Sequence, residues 1–510
     1  MGAVALVAVL AVVGCSSSSE SGGVAPTTPP SGGTTGSSAP ATSGTTRPPL
    51  EGAVPTASGP ITGGTYGVPY NPMPEGLADE YGYVEEEFFI SGSAESFVAD
   101  GPLGIDGRWS VTPGETADYT TRILVRRPAD AANANGIVLI EWLNVSAGRD
   151  SDADFGILHP ELLREGYAYV GVSAQATGVS GGPTRLEVPG VPPEAIIPLK
   201  EWDAERYAPL SHPGDPFSYD IFTQVARLVL DDGDAGVLGD QPVAHVVAMG
   251  ESQSAGRMAT YTNAIQPESG AFDAVFIHSR GSAAAPLNAD TTVTTPPGGI
   301  IRTDIGVPVL QFVTETDLLR LGFLAARQPD SEWVRTWEVA GTAHADAQTL
   351  VYGSASGRVW LVGSEDYDPS ETCGQINDGP QSPVAQAALA ALTAWMVNGT
   401  VPPTSPLIEV VNGDIVTDAT GNAVGGIRTP AVDAPISVLT GKGNPASIFC
   451  SLFGGETPLT PEQLLALYPT NDDYVAAVRA SAEQAVADGF LLTEDAEAMI
   501  AEAEAAPIPS

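Results

Sequence analysis

Two rhythms of apolar and polar positions run along the chain. Apolar-rich runs occupy residues 136–142, 167–173, 243–249, 272–278, 307–313 and 333–339. Runs of this length with little polar alternation predict strands covered on both faces. Residues 88–93 and 119–126 differ. There Thr120, Arg122 and Leu124 alternate with Thr121, Ile123 and Val125, and the two segments read as edge strands. The second rhythm is helical. Residues 153–165 suit a helix, and within 219–230 Ile221, Val225, Leu228 and Val229 share one side. Residues 383–398 form a strongly apolar helix pattern closed by Gly399. Strand and helix alternate, which predicts an α/β fold with a mostly parallel sheet flanked by helices.

Two segments break the alternation. Residues 176–216 are rich in Pro and Gly and contain Trp202 and Tyr207. A loop that long is usually functional or mobile. It reads as a cap over a site or as a surface insertion without substrate contact. Residues 400–505 carry turns, short strands and a helical tail from 471 to 506, expected to pack on the core as an appendage.

The amino terminus has another character. Residues 3–13 are almost wholly apolar, and Gly14, Cys15 and a serine run follow. The run is short for a bilayer span, which needs about 20 residues, and suits a signal peptide. Val12-Val13-Gly14-Cys15 resembles a bacterial lipobox, so residues 1–15 are expected to be a lipoprotein signal peptide with lipidation at Cys15. No Lys or Arg precedes the apolar run, and a translation start upstream of Met1 would supply one. An ordinary cleaved signal with an incidental cysteine is the alternative. Residues 16–65 are mostly Ser, Gly, Thr and Pro and cannot bury enough surface to offset their ordering entropy. They read as a disordered tether to a folded domain over 66–505. This plan predicts export and a place on the outer face of the bacterial cell membrane.

Charge narrows the partners. The formal net charge is −41, and lysine occurs only as Lys200 and Lys442. Such a surface repels phosphate, so nucleic acid is excluded as a partner. Anionic headgroups offer no attraction either. Membrane contact would come only through the lipid anchor, at ~0.8 kcal/mol per buried methylene. Cys373 and Cys450 remain once Cys15 is set aside; an even pair in an exported chain predicts a disulfide, with two separate buried thiols as the alternative. No His-Glu-x-x-His, Cys-x-x-Cys or phosphate-loop pattern is present, so neither metal nor cofactor is expected.

Candidate chemistry centres on Gly250-Glu251-Ser252-Gln253-Ser254, between the apolar run 243–249 and the helix-permissive run 255–264. A buried strand, a tight turn with Ser at its apex and then a helix is the nucleophile elbow of an α/β-hydrolase. The usual last position is Gly; here it is Ser254. Ser needs a base, and the base needs an orienting carboxylate, in the chain order Ser, acid, His. Of the five histidines, His159, His212 and His245 precede Ser252, and His278 leaves no acid-bearing strand between. His344, in the loop after run 333–339, is the candidate base. The acid is expected after run 307–313, where Asp317 is favoured over Glu315. Donors for an oxyanion are the N–H of Gln253 and that of Asn144 or Val145. Trp142 and Tyr207 are candidate substrate contacts, with a core aromatic as the other reading of Trp142.

Segments 141–146, 170–175, 212–221, 250–254 and 425–430 together resemble the alpha/beta hydrolase domain family of bacterial secreted proteins and lipoproteins, over nearly all of residues 65–505. The resemblance implies a carboxylic ester hydrolase with Ser252 and His344 in the roles above, and a tail belonging to the same domain. It supplies no substrate. The expected function is a lipid-anchored serine esterase acting on a small-molecule ester through an acyl-enzyme. Two alternatives are an extracytoplasmic ligand-binding lipoprotein without catalysis and an acyltransferase using the same residues.

Overall fold

The computed structural model describes residues 50–510 except 183–185, 189–196, 232–235, 289–292, 361–366, 446, 506–507 and 509–510. The expected signal peptide, Cys15 and most of the expected tether lie outside the described residues. Nine strands form one sheet: β1 (Thr56–Ser58), β2 (Tyr83–Ala99), β3 (Val111–Pro128), β4 (Ile137–Trp142), β5 (Ala168–Val172), β6 (His245–Glu251), β7 (Ala274–His278), β8 (Val309–Thr314) and β9 (Val334–Val339). Their spatial order is β1-β2-β3-β5-β4-β6-β7-β8-β9. From β5 to β9 all neighbours pair in parallel; β1, β2 and β3 join antiparallel.

β4, β5, β7 and β8 are fully buried because alternate residues feed two apolar layers. Val138, Ile140, Val246, Ala248, Val275 and Ile277 point into one, against Ile221, Phe222 and Val225 of the helix Ser218–Asp231. Leu139, Val247, Met249, Phe276 and Leu310 point into the other, against Phe155 and Leu158 of the helix Ala153–Arg164 and Val384 and Leu389 of the helix Gln381–Asn398. Gly399 closes that last helix in the left-handed conformation, at φ 76°.

Three expectations change. Residues 88–93 and 119–126 are not edge strands: they belong to a long hairpin, β2–β3, with β1 outside it. The polar alternation of β3 has a different cause. Arg122 and Arg126 are buried and neutralised by Glu87 and Asp150, and by Glu85 and Asp152. The folded chain also begins earlier than residue 66. Thr56 pairs with Ser91 in β1–β2, and Leu50 packs on the core. A three-residue polar strand gives no hydrophobic signal, so composition alone hides it. Finally, the tail is two helices, Asn471–Ala487 and Thr493–Ala505. Gly489 turns left-handed between them, with Phe490 N–H bonding Ala485 O and Gly489 N–H bonding Val486 O, a Schellman stop.

The appendage docks on the sheet. Phe490 meets Trp337 of β9 edge to face, with ring centroids 5.0 Å apart. Ile427 continues the sheet beside β9 through two backbone hydrogen bonds, to Glu338 O and from Ala340 N–H. Cys373 and Cys450 are joined by a disulfide that closes a loop of sequence separation 77. Replacing both cysteines with serine is expected to lower the unfolding free energy by about 2–4 kcal/mol. Urea denaturation checks this; an unchanged midpoint would mean that the bridge constrains nothing.

Candidate active site

β4 is flanked by β5 on one side and β6 on the other, so the chain leaves the sheet in opposite directions after β4 and β6. Crevices outside the carboxyl ends of strands form where the order reverses in this way. The loops following β4 and β6 therefore stand side by side.

β6 ends at Glu251, and the helix Gln253–Thr260 begins one residue after Ser252. Ser252 itself has φ 59° and ψ −114°, a conformation that a side-chain-bearing residue adopts only when its surroundings impose it. Two backbone bonds do so: Ser252 N–H donates to His278 O at 2.9 Å, and Gly256 N–H donates to Ser252 O at 3.2 Å. Gly250 makes the tight approach of strand and helix feasible. A Cβ there would lie 3.0 Å from Met258 Cγ and 3.1 Å from both the Ser254 carbonyl carbon and its Cβ. Ser254 is fully buried, so its small side chain fits where glycine is usual.

His344 follows β9 and reaches back over the elbow. Its Nε2 lies 2.7 Å from Ser252 Oγ, and its Nδ1 lies 2.7 Å from Asp317 Oδ1. Asp317 is the third residue of a helix whose N-cap is Thr314, the two forming a reciprocal capping box. Both Thr314 N–H and Thr314 Oγ1 donate to Asp317 Oδ2 at 2.8 Å, which leaves Oδ1 for the imidazole. Glu315 points elsewhere. It accepts from Gly341 N–H at 2.6 Å and from Gly441 N–H at 2.8 Å, pinning the loop that carries His344 to the appendage. Burial pushes its carboxyl up to about 7 against those two bonds.

One neighbour escaped the sequence reading. Glu251 Oε1 lies 3.3 Å from His344 Nε2, in a position where both side chains are nearly dry. Burial pushes the Glu251 carboxyl up to about 7, against the pull of His344 and His278. For His344, burial works against the charged ring, but the Glu251 and Asp317 carboxylates outweigh it and hold the imidazole up at about 9. His278 makes a second, fully buried imidazole–carboxylate pair with Asp154 at 2.8 Å. Its ring faces Gln381 rather than Ser252. His159 and His212 are tied to backbone carbonyls, and His245 sits at the opposite end of β6.

Candidate oxyanion donors separate. Gln253 is the first residue of its helix, where a backbone N–H has no intrahelical acceptor. The Asn144 N–H is taken by Ser151 O at 2.9 Å, which removes it as a donor. Among the described residues, Val145 N–H has a single, 3.5 Å contact, to Gln253 Oε1. The side chain of Asn144 instead donates to Glu251 O and Oε2, at 3.1 and 3.2 Å.

Trp142 and Tyr207 are corrected from substrate contacts to structural aromatics. Both are fully buried. Trp142 packs on Tyr219 and Phe222 and donates its indole N–H to Gln175. The Tyr207 hydroxyl donates to Glu87 and accepts from Tyr70 N–H. In the expected cap, residues 183–185 and 189–196 lie outside the described residues. Around them, Leu199, Trp202 and Leu210 pack with Tyr70, Phe89 and Trp360, and Leu186 N–H bonds Ser146 O beside the β4 loop. Among the described residues, no group of three or more His, Cys, Asp or Glu is arranged to hold a metal ion.

The chain belongs to the alpha/beta hydrolase domain family, which matches residues 57–501. That family defines the class of the fold: a large, mostly parallel sheet with flanking helices. No curated protein matches the chain. Solved structures to which the chain is similar include fungal esterases from Rhizomucor miehei, at 12% identity over 57% of this chain and 83% of theirs, with TM-score 0.28. An esterase domain from a Rhodothermus marinus protein shares 13% identity over 54% of this chain and 96% of its own, with TM-score 0.26. Acetyl xylan esterase 1 from Thermoanaerobacterium shares 12% over 53% of this chain and 88% of its own, with TM-score 0.24.

The elbow geometry yields a stability prediction. Gly250→Ala is expected to cost about 1–3 kcal/mol, because the added methyl must displace Ser254 backbone as well as the flexible Met258 end. Chemical denaturation of the variant beside wild type measures it; equal stability would mean that strand and helix separate freely.

Proposed function

We propose that this chain is an exported, lipid-anchored serine hydrolase that cleaves carboxylic esters through an acyl-enzyme. The observation that carries the reading is the hydrogen-bonded row Ser252 Oγ, His344 Nε2, His344 Nδ1, Asp317 Oδ1, with both links at 2.7 Å. Ser252 attacks the ester carbonyl as His344 takes its proton. Asp317 fixes the ring so that Nε2 faces the serine, and it stabilises the imidazolium that forms. The Gln253 and Val145 N–H groups receive the developing oxyanion; Val145 must first release the Gln253 amide. His344 then passes its proton to the leaving alcohol, and water, activated by the same imidazole, releases the acid. Small-molecule esters are the substrate class, with neither metal nor cofactor in the cycle. Anchoring rests on the lipobox-like residues 12–15, and it would place the enzyme on the outer face of the cell membrane.

A fluorophosphonate probe tests the nucleophile: wild type is expected to label and Ser252→Ala to remain unlabelled. Labelling that survives the substitution would move the nucleophile elsewhere. The acid is tested by short nitrophenyl ester turnover. Asp317→Asn is expected to lower kcat about 10⁴-fold. Glu315→Gln, which keeps an acceptor for Gly341 or Gly441 but touches no reacting atom, is expected to stay within about tenfold of wild type. The reverse ranking would make Glu315 the acid.

A further inference from the structure

Glu251 is chained to the nucleophile by its position as the residue before it, yet its carboxylate turns toward the base. Oε1 lies 3.3 Å from the same nitrogen, His344 Nε2, that Ser252 Oγ approaches at 2.7 Å. Oε2 is held on the other side by Asn144 Nδ2 at 3.2 Å, from the loop that also carries Val145. We infer that Glu251 is a positioning residue for the reaction: acting through His344, it holds the protonated imidazole in place and sets the pH at which Ser252 becomes nucleophilic. The inference rests on the Ser252–His344–Asp317 reading above.

The charges around Glu251 fix the direction. His344 faces it from the loop after β9, and His278 from β7. Asp154, from the helix after β4, and Asp317, from the helix after β8, add negative charge. Asn144 contributes a neutral donor from the β4 loop. Asp154 is itself paired with His278, and Asp317 with His344, so the imidazole beside Glu251 is the nearest group able to answer its charge. An ionised carboxylate facing the Nε2 lone pair repels neutral His344 and attracts the imidazolium. The proton accounting is closed. The Ser252 O–H bond breaks and Nε2–H forms as Oγ bonds the ester carbon; the same hydrogen then moves to the leaving oxygen as the C–O bond breaks. Glu251 gains and loses nothing in the cycle. It lowers the energy of the state in which His344 carries the proton, and it delays the loss of that proton as pH rises.

The sign follows. His344 must be neutral to accept the serine proton, so activity rises as pH passes its free-enzyme value. The neighbouring carboxylates place that limb above the ordinary imidazole range, with His344 held at about 9. Removing the Glu251 charge lowers it. The experiment measures the pH dependence of fluorophosphonate labelling rate on the full chain, for wild type, Glu251→Gln and Ser252→Ala, with thermal melts to verify folding. Wild type is expected to show an acid limb well above about 6.5, the ordinary histidine value. Glu251→Gln is expected to shift it down by about 1–3 pH units, the effect of one opposite charge at this range. A limb that does not move in a folded Glu251→Gln protein overturns the inference. If that variant does not fold, a wild-type limb at or below the ordinary value overturns it alone, and one well above supports it. Ser252→Ala separates the two readings: labelling that survives it sinks the triad, whereas an unlabelled Ser252→Ala with an unmoved limb sinks only the role of Glu251.

Discussion

The ring of His344 stands in a nearly dry slot between two carboxylates and one hydroxyl, and most of the surrounding architecture serves to keep it there. An imidazole that wanders by an ångström loses its 2.7 Å hydrogen bond to Ser252 Oγ. Each contact is therefore fixed from behind. Ser252 is held in a left-handed turn by its bonds to His278 O and Gly256 N–H. Asp317 is clamped by the N-cap threonine of its own helix. The loop bearing His344 is tied through Gly341 to Glu315 and through Ala345 N–H to Leu452 O of the appendage.

That last tie gives the carboxyl-terminal hundred residues a physical purpose. Gly441 lies against the start of the helix after β8, and Gly454 against the histidine loop, so closely that added side-chain atoms would collide. A Cβ at Gly441 would sit 2.5 Å from Glu315 Cβ, and one at Gly454 would sit 2.6 Å from Ala343 Cβ. The Cys373–Cys450 bridge fastens this strap to the residues just before the helix Gln381–Asn398. The family match spans the same stretch, so sheet, site and appendage form one unit.

Much of this was legible in the residues. The parallel strands announce themselves because burial on both faces favours apolar runs, as in Ala168–Val172. The order Ser252, Asp317, His344 is readable because each residue follows a strand whose place in the sheet the alternation already implies. What stayed hidden depends on contacts between distant segments. Nothing near Glu251 in sequence reports an imidazole 93 positions later. Arg122 and Arg126 look like solvent-facing residues until the carboxylates of β2 and of the loop after β4 close around them. Trp142 and Tyr207 carry the same aromatic signal whether they line a pocket or fill a core. The helix Ala347–Trp360 lacks a clean apolar stripe, with Gly353, Ser354, Ser356 and Gly357 inside it, and it is stabilised by Tyr352 and Trp360 packing under the β2–β3 hairpin and the helix Ala153–Arg164.

In the proposed reaction, Ser252 Oγ becomes covalently acylated because His344 stands ready to take its proton. Acid-quenching the protein during turnover of nitrophenyl acetate, then mapping acetylated peptides by mass spectrometry, tests it most directly. Acetyl is expected on the peptide containing Ser252 in wild type, and none when His344 is replaced by alanine. Acetyl on another residue, or equal acetylation of Ser252 without the imidazole, would contradict it.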